Sequence, residues 1–260
     1  MTRRIFFLPR RLVEGKPEVI LPEDISHQIV RVLRLSKGDT IELRDEDGRS
    51  WKAEIVELAK KGVRVSLTEE VFSETESPLD LILLLALARS DRVDLAIRQA
   101  TELGVKKIFL FSSARSPYRI EKFRISDKVS RWGKIVKEAV CQCRRRVPPE
   151  IDYIGTTKET LEFVDMKVSS SEKHLKIVAS EYLDDHTCDF GRLAEKVKAP
   201  ETVLVAIGPE GGWTMEELDF FRHSGWHPVS CGPRILRYET AVVTALSLCQ
   251  FLWGDMRLNR

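Results

Sequence analysis

Up to about residue 75 the chain alternates between apolar and polar positions. The stretch "DTIELRDEDGRSWKAEIVELAKKGVRVSLTEEV" holds three such runs, and alternation with a period of two predicts strands buried on one face. Asp47-Gly48 joins the first pair and Lys61-Gly62 the second. Asp-Gly is a hairpin signal because both central positions of a tight turn favour φ > 0. Ahead of them, "PEDISHQIVRVLRL" predicts a short helix with Ile25, Ile29, Val32 and Leu33 on one side. A small β-barrel with one helix is the natural assembly. "ETESP" (74–78), polar and ending in proline, reads as a linker.

From Leu79 the rhythm changes. Near-continuous apolar runs, "LILLLAL", "KKIFLFS", "EIDYIG", "LKIVAS", "TVLVAI" and "HPVSC", alternate with helical patterns at roughly 91–103, 126–145, 157–165, 190–198, 214–224 and 239–253. Strands apolar on both faces predict a parallel sheet covered by helices. Ser126 is a candidate helix start, and Thr214 with Glu217 forms the S/T-x-x-E capping box.

Composition changes this picture little: 260 residues, 43% apolar and 32% charged, suit one large globular domain or two modest ones. Charge adds more. Residues 115–146 carry eleven Lys/Arg against Glu121, Asp127 and Glu138, a local +8 in a chain whose net charge is +2. Such a band fits either a solvated helix face or a polyanion-binding one. Five cysteines without a CxxC form no disulfide framework, and a reducing cytoplasm is expected. The longest apolar run, "LDLILLLALA", falls far short of the roughly 20 residues that span a bilayer.

Candidate chemistry gathers at the carboxyl ends of the predicted strands, where open α/β sheets bind ligands. "GPEGG" (208–212) follows "TVLVAI", and "CGPRILRYET" (231–240) follows "HPVS". The first loop has neither the GxGxxG spacing of dinucleotide folds nor the lysine of GxxxxGK[ST]. The loops suit a flat, neutral heterocycle held by close main-chain contacts, or else they are two tight turns. Arg237 is either a structural partner of Glu239 or Glu210, or a cation beside a cofactor. The final helix, "ETAVVTALSLCQFLW", is apolar nearly all round, which predicts burial and an available surface for a second subunit. A metal enzyme is weakly indicated: His223 and His227 are split by Gly225 and Pro228, and Cys141 with Cys143 point apart on a helix. A nicotinamide oxidoreductase lacks its fingerprint.

"IGPEGGWTMEE" followed by "CGPRILRYETAVVTAL" resembles the C-terminal signature of the SPOUT methyltransferases, specifically the RsmE family of small-subunit (16S) rRNA uridine N3-methyltransferases. "HQIVRVLRLSKGD", "IRQATELGVKKIFLFSSARS" and "RWGKIVKEAVCQCRRRVPPEI" extend the resemblance along the chain. It implies a PUA-like β-barrel over 1–73 that binds RNA, and over 78–260 a SPOUT-type α/β domain whose end threads a trefoil knot. The implied cofactor is S-adenosyl-L-methionine (AdoMet), and the implied partners are small-subunit rRNA, free or in the assembled subunit, and a second copy docked through the last helix. No metal and no membrane are implied.

Carried over position by position, the cofactor would meet Ala206, Ile207, Gly208, Glu210 and Gly211 on one side. Ser230, Cys231, Gly232, Ile235, Leu236, Arg237 and Thr240 would form the other, with Leu87 and Ala88 at the mouth. Arg237 is the first candidate for stabilising a uracil anion, and Arg234 the second. RNA contacts are expected at Arg3, Arg4, Arg31, Arg34, Arg115, Arg131, Lys134, Lys137, Arg144 and Arg145, the helical members lying opposite Val129, Trp132, Val136, Ala139, Val140 and Cys143. Gln99, Ala114 and Cys141 depart from the family pattern, all in the middle segment. The departures bear on the target more than on the cofactor. The alternatives are a non-catalytic RNA-binding or ribosome-assembly protein, and a SPOUT methyltransferase with another RNA target.

Overall fold

The computed structural model describes residues 5–13, 15–45, 47–59, 62–71, 75–168, 173–182, 184 and 186–257. Two compact units emerge: 1–76 together with 140–148, and 77–139 together with 149–260.

The first unit is a five-stranded sheet in the order β1-β3-β4-β5-β2. Its elements are β1 (Ile5–Phe7), α1 (Arg10–Val13), β2 (Glu18–Ile20), α2 (Glu23–His27), a π-turn (Gln28–Val32), β3 (Thr40–Arg44), β4 (Ser50–Ala59) and β5 (Gly62–Val71). β3, β4 and β5 pair antiparallel as the alternation predicts, burying Ile41, Leu43, Ala53, Ile55, Val63 and Val65 on one core. The first hairpin is not a two-residue turn. Arg44 pairs with Ser50, and the five residues between close through Asp45, whose carboxylate accepts from the N–H groups of Asp47 (3.0 Å) and Arg49 (2.9 Å). Among the described residues there, Gly48 has positive φ, +79°. The helix also departs from expectation. Leu33 N–H reaches back five residues to Gln28 C=O, so the winding widens after α2. That wider turn leaves Ile29 fully buried but swings Val32 out to 64% exposure.

In this unit Arg145 is only 4% exposed. Its guanidinium donates to Glu76 Oε2 at 2.8 Å, and Glu76 Oε1 accepts from the N–H groups of Arg146 (2.7 Å) and Val147 (3.3 Å). Burial alone would raise the Glu76 carboxyl, but these donors outweigh it and hold the group below its ordinary value.

The second unit is a seven-stranded parallel sheet with helices between strands. Its strands are β6 (Asp80–Ala86), β7 (Lys107–Ser112), β8 (Glu150–Thr156), β9 (His174–Ala179), β10 (Cys188–Asp189), β11 (Thr202–Ile207) and β12 (His227–Ser230). They lie in the order β10-β12-β9-β11-β6-β7-β8. The helices are α3 (Ser90–Glu102), α4 (Ile125–Cys143), α5 (Thr157–Val168), α6 (Phe190–Lys196), α7 (Met215–His223) and α8 (Tyr238–Trp253). A 3-10 turn (Lys122–Arg124) precedes α4, so Ser126 lies inside that helix and does not cap it. β11 is buried at every position and sits between β6 and β9. α7 docks through Leu218 and Phe221, each contributing about 1.5–3 kcal/mol by burial. Phe221 meets Trp213 and Trp226 edge-on, with ring centroids 4.9 and 5.2 Å away.

From β12 the chain returns past the loop after β11 to α8. Tyr238 Oη donates to Ala86 C=O at 2.8 Å, and Glu239 pairs with Arg92 on α3. This return is where the expected knot places its thread. Gln250, also buried, accepts from Ser77 Oγ and donates to Leu103 C=O, both at 2.8 Å, and so anchors the far end of α8.

A cleft at the carboxyl ends of the sheet

The loop after β11 is shaped by its sequence. A Cβ on Gly208 would come within 2.9 Å of the Trp213 ring, so only glycine lets the backbone lie flat on that indole. Gly212, at φ +69°, closes a turn by donating to Pro209 C=O at 2.9 Å. Trp213 is buried, and its Nε1–H donates to Ala179 C=O at 2.8 Å, tying the loop to the end of β9. Thr214 and Glu217 form the capping box of α7.

Glu217 does more than cap. The side chain is buried, and its Oε1 accepts from Ala114 N–H (2.9 Å) and Thr157 Oγ (2.7 Å), while Oε2 accepts from Thr214 N–H (3.1 Å) and Oγ (3.2 Å). An acceptor-only carboxylate is thus met by four donors from three segments. Beside it, Arg115 donates to Gly211 C=O at 2.9 Å. The glycine loop is therefore braced from both sides.

The second wall starts where Ser230 Oγ accepts from Gly232 N–H at 3.1 Å, with Gly232 at φ +109°. The two walls and the end of β9 border a cleft that opens to solvent. Among the expected residues, Ile207, Gly208, Glu210, Cys231, Gly232, Arg234, Ile235 and Leu236 line it. Leu87, Ala88 and Ala206 are fully buried and lie outside the lining. Gly211, Ser230, Arg237 and Thr240 also lie outside the lining. Arg237 precedes α8 and takes neither proposed partner, because Glu239 pairs with Arg92 and Glu210 lies 3.9 Å from Arg89.

Sequence reasoning missed Ala179, Ser180 and Glu181 in the lining, along with Trp213 and Tyr238. The missing signal was strand order: placing β9 beside β11 brings "ASE" to the "GPEGG" loop. Burial pushes the Cys231 thiol up to about 11 and raises the Tyr238 hydroxyl well above its usual range.

The cleft's donor set fits AdoMet. Ile207, Trp213, Ile235 and Leu236 offer apolar surface, Ile235 at 88% exposure with nothing covering it. Glu181 and Glu210 suit a ligand carrying cationic groups.

The expected RNA contacts separate into groups. Arg31, Arg34, Lys134, Lys137 and Arg144 are exposed. Arg131 is exposed but paired with Asp94, and Arg115 is engaged by Gly211. Arg145 is buried on Glu76 and presents no surface charge, because its partner lies 69 residues away where no local pattern shows it. Arg3 and Arg4 lie outside the described residues.

Residues 75–250 match the family described as an RNA methyltransferase domain, and 21–68 match an RNA methyltransferase PUA domain. The chain is 32% identical over 250 residues to ribosomal RNA small subunit methyltransferase E of Synechocystis, covering 95% of this chain and 77% of that protein. It is 27% identical over 251 residues to the Bacillus subtilis protein of the same name, covering 96% of each. A crystal structure of ribosomal RNA small subunit methyltransferase E from Neisseria gonorrhoeae, bound to S-adenosyl methionine, superposes with a TM-score of 0.84 at 30% identity, covering 98% of this chain and 100% of that one. With its PUA-type first unit, its parallel-sheet second unit and both motifs on one cleft, the chain belongs to the RsmE family of SPOUT RNA methyltransferases.

Proposed function

We propose that the protein transfers a methyl group from AdoMet to N3 of one uridine in small-subunit rRNA, acting on the assembled subunit. The observation that carries this reading is the cleft itself: glycine-lined, with Glu181 and Glu210 on its walls, and edged by Arg234. It is supported by likeness over nearly the whole chain to a relative bound to S-adenosyl methionine. When bound, AdoMet supplies an electrophilic methyl already activated by its sulfonium.

The chain's own residues bind, orient and stabilise. Ile207, Ile235 and Leu236 exclude water from one face of the ligand, and the Gly208 backbone allows close approach. Glu181 and Glu210 accept from its hydroxyl or ammonium groups. As uridine N3 loses its proton, charge spreads to O2 and O4, and a guanidinium beside them stabilises the transition state more than the ground state. Arg234, which lines the cleft, takes this role ahead of Arg237, and water takes the proton. The first 73 residues engage RNA, 78–260 carry the chemistry, and a second copy docks on the half-exposed face of α8 around Val243, Leu248 and Phe251. An enzyme of small ribosomal subunits acts in the cytoplasm, which is the compartment we assign to it.

The test is to incubate the protein with labelled AdoMet and small subunits from cells lacking the modification, then identify the nucleoside by mass spectrometry. N3-methyluridine at one site is the expected result. AdoMet binding without N3-methyluridine would mean a different target, and no AdoMet binding would favour a non-catalytic RNA-binding protein.

A further inference from the structure

The segment from the end of β7 into the first turn of α4, "SARSPYRIEKFRISDK", interleaves Tyr118 and Phe123 with Arg115, Arg119, Lys122, Arg124 and Lys128. Phe123 sits on the 3-10 turn Lys122–Arg124 and is 73% exposed. An exposed ring flanked by cations offers a π-face on which a base can stack. A cation stands beside each ring: Arg124 Cζ is 5.5 Å from the Phe123 centroid, and Lys128 Nζ is 5.8 Å from that of Tyr118. Phe123, Arg124, Asp127, Lys128 and Arg131 line a shallow groove of about 550 Å³ counted out to solvent.

This groove and the cleft are joined through the same short stretches of chain. At the start of the segment, Arg115 holds Gly211 of the glycine loop. At the far side, Arg131 bonds Asp94 and approaches Ser90 Oγ at 3.4 Å, and Ser90 follows Arg89, which faces Glu210. The groove and the cleft thus share the Arg115 and Arg89–Ser90 stretches. The groove's chemistry suits an unpaired nucleotide: an open π-face for a base, and Arg119, Lys122 and Lys128 for phosphates.

We propose that Phe123 is a stacking platform for an unpaired base flanking the target uridine. The proposal rests on the RNA methyltransferase reading above and adds a binding residue to it. Stacking and phosphate contact differ in their response to salt: losing a cation flattens the dependence of log K on log salt, whereas losing a ring does not.

The experiment measures affinity for a short uridine-containing single-stranded RNA between about 50 and 200 mM salt. Phe123→Ala is expected to weaken binding on the order of 5- to 100-fold at every salt concentration with an unchanged slope, and Phe123→Trp to restore it. Lys128→Ala is expected to reduce the slope by about 0.7. Phe123→Ala binding within twofold of wild type, or a loss seen only as a changed slope, overturns the stacking role. So does a change in oligomeric state, which would make the ring a contact between copies. Wild-type protein that binds the RNA with these variant effects while methylating no subunit supports the stacking role and leaves the methyltransferase with another target. Wild-type protein that does not bind the RNA overturns the stacking role, and the subunit assay alone decides the methyltransferase reading.

Discussion

At the scale of single residues, the cleft separates groups that touch a ligand from groups that hold others in place. Arg234 lines it and Arg237 does not. Arg234→Ala should therefore lower turnover by about 10²-fold, as loss of a transition-state donor does. Arg237→Ala should cost clearly less, and single-turnover assays at saturating AdoMet compare the two. Glu217 never reaches the cleft, yet it ties Ala114, Thr157 and Thr214 together behind the glycine loop. Glu217→Gln places an amide N–H against donors. AdoMet affinity should fall about tenfold with RNA affinity unchanged, as calorimetry and filter binding would read. Cys231 offers a chemical probe. With its thiol pushed up to about 11 by burial, alkylation at neutral pH should be slow, accelerate as pH rises toward that value, and stop when AdoMet fills the cleft.

Secondary elements bring pairs together that sequence separates. Glu76 receives Arg145 and two N–H groups beyond the end of α4, and its carboxyl is held below its ordinary value of 4.5. A depressed carboxyl contributes stability in full above its unfolded value and loses it as pH falls through the folded one. The melting-temperature advantage of wild type over Glu76→Gln should thus be steady down to about pH 5 and shrink below 4.5. Trp132, 1% exposed on α4, should cost about 3–5 kcal/mol as Trp132→Ala in denaturant unfolding. The long strands and helices were legible from apolar periodicity: alternation in β4 and β5, continuous apolar runs in β6 and β11, and helical spacing in α3 and α4. β1 and β10 were not, being three and two residues long and recognised only by their pairing. Val32 was misplaced because a π-turn shifts the helical stripe without any sequence mark. Both glycine loops could be read from their composition; the "ASE" wall at the end of β9 could not, because strand order is a long-range property.

On the scale of the whole molecule, positive charge is concentrated rather than abundant: +8 over 115–146 within a net +2. Affinity for rRNA should accordingly fall steeply with salt while affinity for AdoMet barely changes, which parallel titrations at two ionic strengths would show. The sheet order also sets a timetable for synthesis. β6, apolar along its length, pairs on one side with β7, which follows soon after. Its other neighbour is β11, not β9, so that edge cannot close until the chain has been made through Ile207. At the pace of translation the wait is on the order of ten seconds, with an open hydrophobic strand edge in the nascent chain. A fragment ending before Thr202 should therefore aggregate where the full chain stays in solution, and a growing chain of this protein is a natural client for chaperones that shield unpaired strands.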